Sequence, residues 1–173
     1  MTVRVPAKVN LQLSVGPRES DGYHNLVSVF QAISIFDDVT VTKSNPGSGV
    51  TISVTGEHTH GVPEDHSNLA VKAAQLIGKK FDFDVDVHIE IKKSIPVAGG
   101  MGGGSADAAA ALLAVDELWC TGVDGQALIH SAADLGADIP FALLGGTAIG
   151  VGKGDDLEPI DGVPALHWVL VPS

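Results

Sequence analysis

One stretch constrains this chain more than any other. Residues 96–112 read P-V-A-G-G-M-G-G-G-S-A-D-A-A-A-A-L, with five glycines followed by a run of alanines. Glycine lacks Cβ, so such a loop reaches positive φ angles and lets another molecule approach its backbone. From Ser105 the composition changes to alanine and leucine, which predicts a helix from Ser105 to Trp119 with Ser105 or Asp107 capping its first turn. A helix start presents unpaired N–H groups and the positive end of the helix dipole, and together these attract anions. Upstream, residues 85–91 alternate apolar and polar side chains as a half-buried strand does. Strand, glycine loop and helix follow one another in the order a phosphate-binding loop requires. A tight turn before a core helix would explain one or two of these glycines, but not five.

Two common phosphate loops fail on the letters. No Lys-Ser or Lys-Thr follows the glycines, as a P-loop demands. Read as G-x-G-x-x-G, the last position falls on Ser105 or Asp107. The net charge of −11 argues against nucleic acid or an anionic membrane as partner. An acidic protein that binds phosphate must gather positive charge locally. Lys8, Arg18, Lys92, Lys93, the helix dipole and a divalent cation are the candidates. The single cysteine, Cys120, cannot form an internal disulfide and is expected to be a small buried residue in a reducing compartment. No signal-peptide run opens the sequence, and no stretch is long enough to span a membrane, so a cytoplasmic location is expected.

Taken in order, the apolar pattern predicts one or two strands over 3–15, interrupted at Pro6, then a loop over 16–23. Strands follow over 26–36, 39–42 and 50–54, with a polar, histidine-rich segment over 56–67. Residues 68–81 carry an apolar helical face closed by Lys79 and Lys80. After the glycine loop and its helix, Asp124 opens a helix to Asp134, and Asp138-Ile139-Pro140 opens a short one ended by Gly145-Gly146. Strands are predicted over 147–151 and 166–171. Strands first, then mixed helices and strands, point to an α+β domain with a mixed sheet and packed helices, with 1–173 as a single domain. His58, His60 and His66, beside Glu57, Glu64 and Asp65, lack a standard ligand spacing and read as a solvated loop.

The glycine stretch resembles the P-x-x-x-G-[LM]-G-[SG]-[SG]-[SA] loop of the GHMP kinases, small-molecule kinases of galactose, homoserine, mevalonate and phosphomevalonate. Three further blocks are similar to one branch of that family: P-A-K-V-N-L-Q-L from Pro6, R-x-x-D-G-Y-H-x-L from Arg18, and L-G-A-D-I-P-F from Leu135 to Phe141. That branch phosphorylates the 2-hydroxyl of a cytidylyl polyol with ATP, in non-mevalonate isoprenoid precursor synthesis. The resemblance implies an ATP site at Pro96, Val97, Ala98, Gly99, Gly100, Met101, Gly102, Gly103, Gly104, Ser105 and Ala106, with Asn68 and Lys93 lining the adenine pocket, and Mg²⁺ accompanying the nucleotide. It implies Asp138 as the base that accepts the hydroxyl proton, with Lys8 as its charge partner. It also implies Tyr23 and His24 as the cytosine site, and Asn10 as a hydrogen-bonding group near the substrate hydroxyl.

Plainer readings exist for the same residues. Asp138 could be an N-cap, Lys8 a solvated charge on a strand edge, and Tyr23-His24 a turn covering a core edge. Where many relatives carry a second Ser or Thr, this chain has Ala106, which leaves Ser105 as the loop's hydroxyl. Family members continue beyond the position of Ser173 into a second domain that closes over ATP and completes the cytidine site. The expectation is therefore an N-terminal portion that alone need not turn over. Another GHMP kinase and a non-catalytic nucleotide-binding module are the rival functions. The D-G-Y-H segment separates the first, because other members hold no cytosine.

Overall fold

The computed structural model describes residues 1–18, 24–97 and 99–171. Tyr23 and Ala98 lie outside the described residues, as does the Asp21-Gly22 turn. Among the described residues, ten elements run β1 (Thr2–Arg18), β2 (His24–Lys43), β3 (Val50–Gly56), α1 (Leu69–Phe81), β4 (Val87–Lys93), α2 (Gly103–Trp119), α3 (Gly125–Ala133), α4 (Ile139–Leu144), β5 (Thr147–Val151) and β6 (Asp156–Pro159). The α+β expectation holds: the sheet is mixed, and the helices pack against it.

Strand β2 is the axis of the sheet. β1 runs antiparallel along one edge of it, from Thr2 opposite Thr40 to Arg18 opposite His24. β4 and β5 lie end to end along the other edge, pairing with residues 38–43 and 28–31 of β2. β3 adds to β4 in parallel and β6 closes the far edge against β5. The two strands predicted over 26–36 and 39–42 are one. Asp37 and Asp38 do not break it, because each carboxylate has a partner. Asp38 takes a bidentate bond from Arg4 on β1 (Nε to Oδ1 2.7 Å, Nη2 to Oδ2 3.0 Å), and Asp37 turns inward. Pro6 does not split β1 either. The strand passes it with a register shift between Pro6 and Ala7, which tolerates the missing N–H.

Helix α1 begins as expected, with Asn68 at its N-cap accepting from the Ala70 N–H at 2.8 Å. Helix α2 is buried along most of its length. Ala108, Ala109, Ala110, Ala111 and Leu112 are fully enclosed, so the small alanines let α2 lie close to α1 and the sheet. The core is completed by Val39 and Val41 of β2, Ile89 and Ile91 of β4, and Ile77 of α1. Two expectations fail here. Residues 166–171 form no strand: β6 occupies the edge of β5, and Val169 and Val171 stand 92% and 86% exposed. Cys120 is exposed rather than buried, because it terminates α2 in the left-handed region (φ 52°, ψ 44°).

Candidate active site

The glycine loop enters α2 two residues earlier than predicted. Gly102 is the N-cap at φ 71°, ψ 21°, a conformation that favours glycine, and no side chain caps the helix. Neither Ser105 nor Asp107 takes that role. Asp107 is instead drawn into the core, and Ala106 N–H closes the first turn on the Gly102 carbonyl at 2.8 Å. The N–H groups of Gly103, Gly104 and Ser105 therefore have no side-chain acceptor at the cap. The three residues line a cleft of about 380 Å³. Its walls are the loop itself, residues 61–63, Ser67, Asn68 and Leu69 at the start of α1, and Lys93 and Asp107. Asn68 and Lys93, 25 residues apart in sequence, thus line one cleft with the glycines. Asn68 also donates from Nδ2 to the Pro63 carbonyl at 2.7 Å, tying the 61–63 wall to the helix.

Next to this cleft the fold joins the two ends of the sequence match. Lys8 Nζ on β1 lies 3.4 Å from Asp138 Oδ2, ahead of α4. Asp138 stands at the N-cap of α4 without a side-chain capping bond, so its carboxylate is turned to Lys8 instead. The ammonium also donates to Asn10 Oδ1 at 2.7 Å and sits 5.6 Å from the centre of the Phe30 ring, which stacks on Phe141. Asn10 Nδ2 in turn donates to Ser28 Oγ at 2.6 Å, and Ser28, fully buried, donates to the Gln12 carbonyl at 3.0 Å. This chain of bonds fixes the lysine head, whose side chain is 11% exposed, so Lys8 is not a solvated edge charge.

The lysine pair and the glycine loop are one construction. Lys8 N–H donates to the Met101 carbonyl at 3.0 Å, lacing β1 to the loop. A Cβ placed on Gly102 would lie 3.2 Å from Lys8 Cγ and 3.8 Å from Asp138 Oδ2. The glycine-rich start of α2 and the carboxylate–ammonium pair are thus immediate neighbours.

A buried charge cluster lies beneath the cleft, and the sequence reading did not anticipate it. Lys93 is 2% exposed; it pairs with Asp37 of β2 through a short contact and with Asp107 Oδ2 of α2 at 2.8 Å. Asp37 Oδ1 also accepts from the N–H groups of Ser94 (2.6 Å) and Ile95 (2.9 Å), which shapes the turn into the glycine loop. Asp107 Oδ1 is buried with no hydrogen-bond partner. Burial pushes the Asp107 carboxyl up to about 7, with Lys93 pulling it down and Asp37 adding to the rise. A usable signal existed: the alternation of β4 places Val87, Ile89, Ile91 and Lys93 on its inward face.

His24 is exposed, and its Nδ1 lies 2.9 Å from the Gly16 carbonyl; its proposed partner Tyr23 lies outside the described residues. Lys92 is exposed on the outer face of β4 and does not line the cleft. In the histidine-rich segment, Glu64 accepts from the Val54 N–H (3.3 Å) and Asp65 accepts from Ser67.

Residues 68–146 match the family described as GHMP kinases N terminal domain. The 4-diphosphocytidyl-2-C-methyl-D-erythritol kinase of Thermobifida fusca is 52% identical over 176 residues, covering 98% of this chain and 57% of that protein. The kinase of the same name from Saccharopolyspora erythraea is also 52% identical, with 98% and 54% covered. Among solved structures, a 4-(cytidine 5'-diphospho)-2C-methyl-D-erythritol kinase superposes with a TM-score of 0.72 at 39% identity, over 92% of this chain and 55% of that one. The chain spans about half the length of the curated relatives it matches.

Proposed function

From the premise that this chain carries the GHMP kinase N-terminal domain, we propose that its cleft binds ATP and that the protein phosphorylates the 2-hydroxyl of 4-diphosphocytidyl-2-C-methyl-D-erythritol. The observation that carries the reading is the contact between cradle and base: Gly102 packs against both Lys8 and Asp138. A phosphate held on the Gly103–Ser105 N–H groups would lie beside a carboxylate placed to receive a proton. In the proposed step the acceptor oxygen forms a bond to the terminal phosphorus of ATP. The bridging P–O bond breaks, ADP leaves, and the hydroxyl proton passes to Asp138. Lys8 offsets negative charge on the attacking oxygen, and Asn10 holds the lysine head through its Oδ1. Asn68 lines the cleft at the start of α1, where the nucleoside would lie, and Lys93 lies beneath the cradle.

Mg²⁺ enters with the nucleotide in this reading. Among the described residues, no three His, Cys, Asp or Glu side chains converge on a metal position. The residues present do not fit a metal caged by the protein alone, and no step here runs through one. His24 is the candidate contact for the cytidylyl group on the acceptor side, together with Tyr23. Among the described residues, no helix is long and apolar enough to cross a membrane.

The test is phosphorus NMR of full-length protein incubated with Mg-ATP and the cytidylyl polyol, with mevalonate and homoserine as competing acceptors. A phosphomonoester on the cytidylyl polyol alone is expected. Transfer to another acceptor instead would assign a different GHMP kinase activity. ATP binding without transfer to any of the three would leave a nucleotide-binding module.

A further inference from the structure

The buried cluster beneath the cleft has a chemical consequence for nucleotide binding. Lys93 carries one positive charge and faces two carboxylates, so the fully ionised cluster is net negative. It lies directly under the anion cradle. A Cβ on Gly103, the first residue of α2, would come within 3.1 Å of Lys93 Nζ. Asp107, one helical turn further on, therefore lies on the same side of the helix as the ammonium, and it lines the cleft. One of its oxygens is bonded to Lys93; the other is enclosed and bonded to nothing.

The charged groups acting on Asp107 are few. Lys93 comes from β4 and Asp37 from β2. Helix α1, which packs against α2, keeps Lys72, Lys79 and Lys80 exposed at its surface. Lys8 of β1 is occupied with Asp138, at the start of α4, on the far side of Gly102. A polyphosphate arriving on the Gly103–Ser105 amides thus adds negative charge above a cluster that already holds an excess of it, and among the described residues no cation besides Lys93 acts on Asp107 to absorb the excess. The carboxylate with the free oxygen is the group that can relieve it, by taking a proton from solvent.

We propose that Asp107 is a proton-linked nucleotide-site residue: binding of ATP on the glycine loop is coupled to protonation of Asp107, which converts the Asp37–Lys93–Asp107 cluster from net negative to neutral. The inference rests on the ATP reading of the cleft. Burial has already lifted the Asp107 carboxyl to about 7, so the uptake falls in the range where a cell or an assay buffer operates. The direction is fixed by the charges. The anion raises the Asp107 carboxyl further, so ATP binds more tightly at low pH and loses affinity as pH climbs past the value of the free protein. The loss reaches up to about tenfold per pH unit where a whole proton is taken up.

The experiment is calorimetric titration of the full-length protein with Mg-ATP between about pH 6.5 and pH 8.5, in buffers of different ionisation heat, for wild type and Asp107→Asn. The terminal phosphate of ATP titrates in the same range, so the reading is the difference between the two proteins, in which that contribution cancels. Wild type is expected to take up a larger fraction of a proton near pH 8 than the variant, and its affinity to fall more steeply with pH. Equal proton uptake and parallel pH profiles in two proteins that both bind ATP would overturn the proposal and leave the ATP reading intact. Absence of ATP binding by wild type at any pH would overturn the ATP reading itself. Should Asp107→Asn fail to fold, a carboxyl carbon-13 titration of the wild type, free and with ATP, replaces it. A carboxyl with a midpoint near 7 that moves upward on adding ATP is expected. Absence of such a group, or a midpoint indifferent to ATP, overturns the proposal.

Discussion

Replacing Lys93 by Met separates the electrostatic role of the buried cluster from its packing. Both side chains are long and unbranched, so the change removes a charge with little change in volume. Lys93 is 2% exposed and Asp37 and Asp107 are enclosed to a similar degree, so no water compensates the carboxylates left behind. Breaking a buried pair by removing one partner costs about 3–5 kcal/mol, because an uncompensated charge remains. That is a large part of the ~5–15 kcal/mol that holds a domain together, and for a chain of this size it corresponds to a melting temperature lower by about 10 °C.

The loss must also depend on pH in a stated direction. In wild type Lys93 pulls the Asp107 carboxyl down against burial, so without it that carboxyl rises further above about 7. The folded variant then binds protons that the unfolded chain releases, and its stability is regained as pH falls, by about 1.4 kcal/mol per pH unit for each proton. Urea unfolding near pH 8 and near pH 6, followed by circular dichroism, reads both quantities; wild type itself gains as its carboxyl near 7 protonates, so the deficit relative to it is expected to shrink by about 1.4 kcal/mol at the lower pH. A deficit below about 1 kcal/mol at pH 8, or one equal at both pH values, would refute the electrostatic account.

Three further outcomes are expected. Asp138→Ala in the full-length protein lowers turnover by at least about 10²-fold with little change in ATP affinity, measured by steady-state kinetics and calorimetry; turnover near wild type removes Asp138 from the reaction. Gly102→Val weakens ATP binding at least about tenfold: the φ of 71° excludes a β-branched residue, and its Cβ would meet Lys8 at 3.2 Å. Unchanged affinity in a folded protein would reduce the loop to a turn. Asn68→Ala, which loses the α1 cap and the bond to Pro63, destabilises by about 1–2 kcal/mol in urea unfolding, and no measurable change would contradict the capping geometry.

The glycine loop and its helix were legible because local chemistry dictates them: five glycines have no other economical use, and an alanine run makes a helix wherever it is packed. The pairing of Lys8 with Asp138, 130 residues away, came from the sequence match, and no periodicity could have supplied it. The buried cluster was missed for a different reason. A lysine at the end of a strand normally points to water, and the Asp37-Asp38 pair looked like a strand break. Only the assembled fold brings Asp37, Lys93 and Asp107, from three elements, into one buried cluster. The unformed strand over 166–171 is the converse case. Its apolar pattern suits a strand, but pairing is a property of the sheet, and beside β5 that place is taken by β6.

The central claim is that the phosphates of ATP rest on the glycine loop beside Lys8 and Asp138. Amide nitrogen-15 spectra of the protein titrated with Mg-ADP and Mg-ATP test it at residue resolution. The largest shifts are expected at the N–H groups of Gly102, Gly103, Gly104 and Ser105, with smaller ones at Asn68 and Lys93, and an added response near Asp138 when the terminal phosphate is present. Shifts concentrated instead around His130 and Asp156, or beneath Trp168, where the other clefts lie, would contradict it.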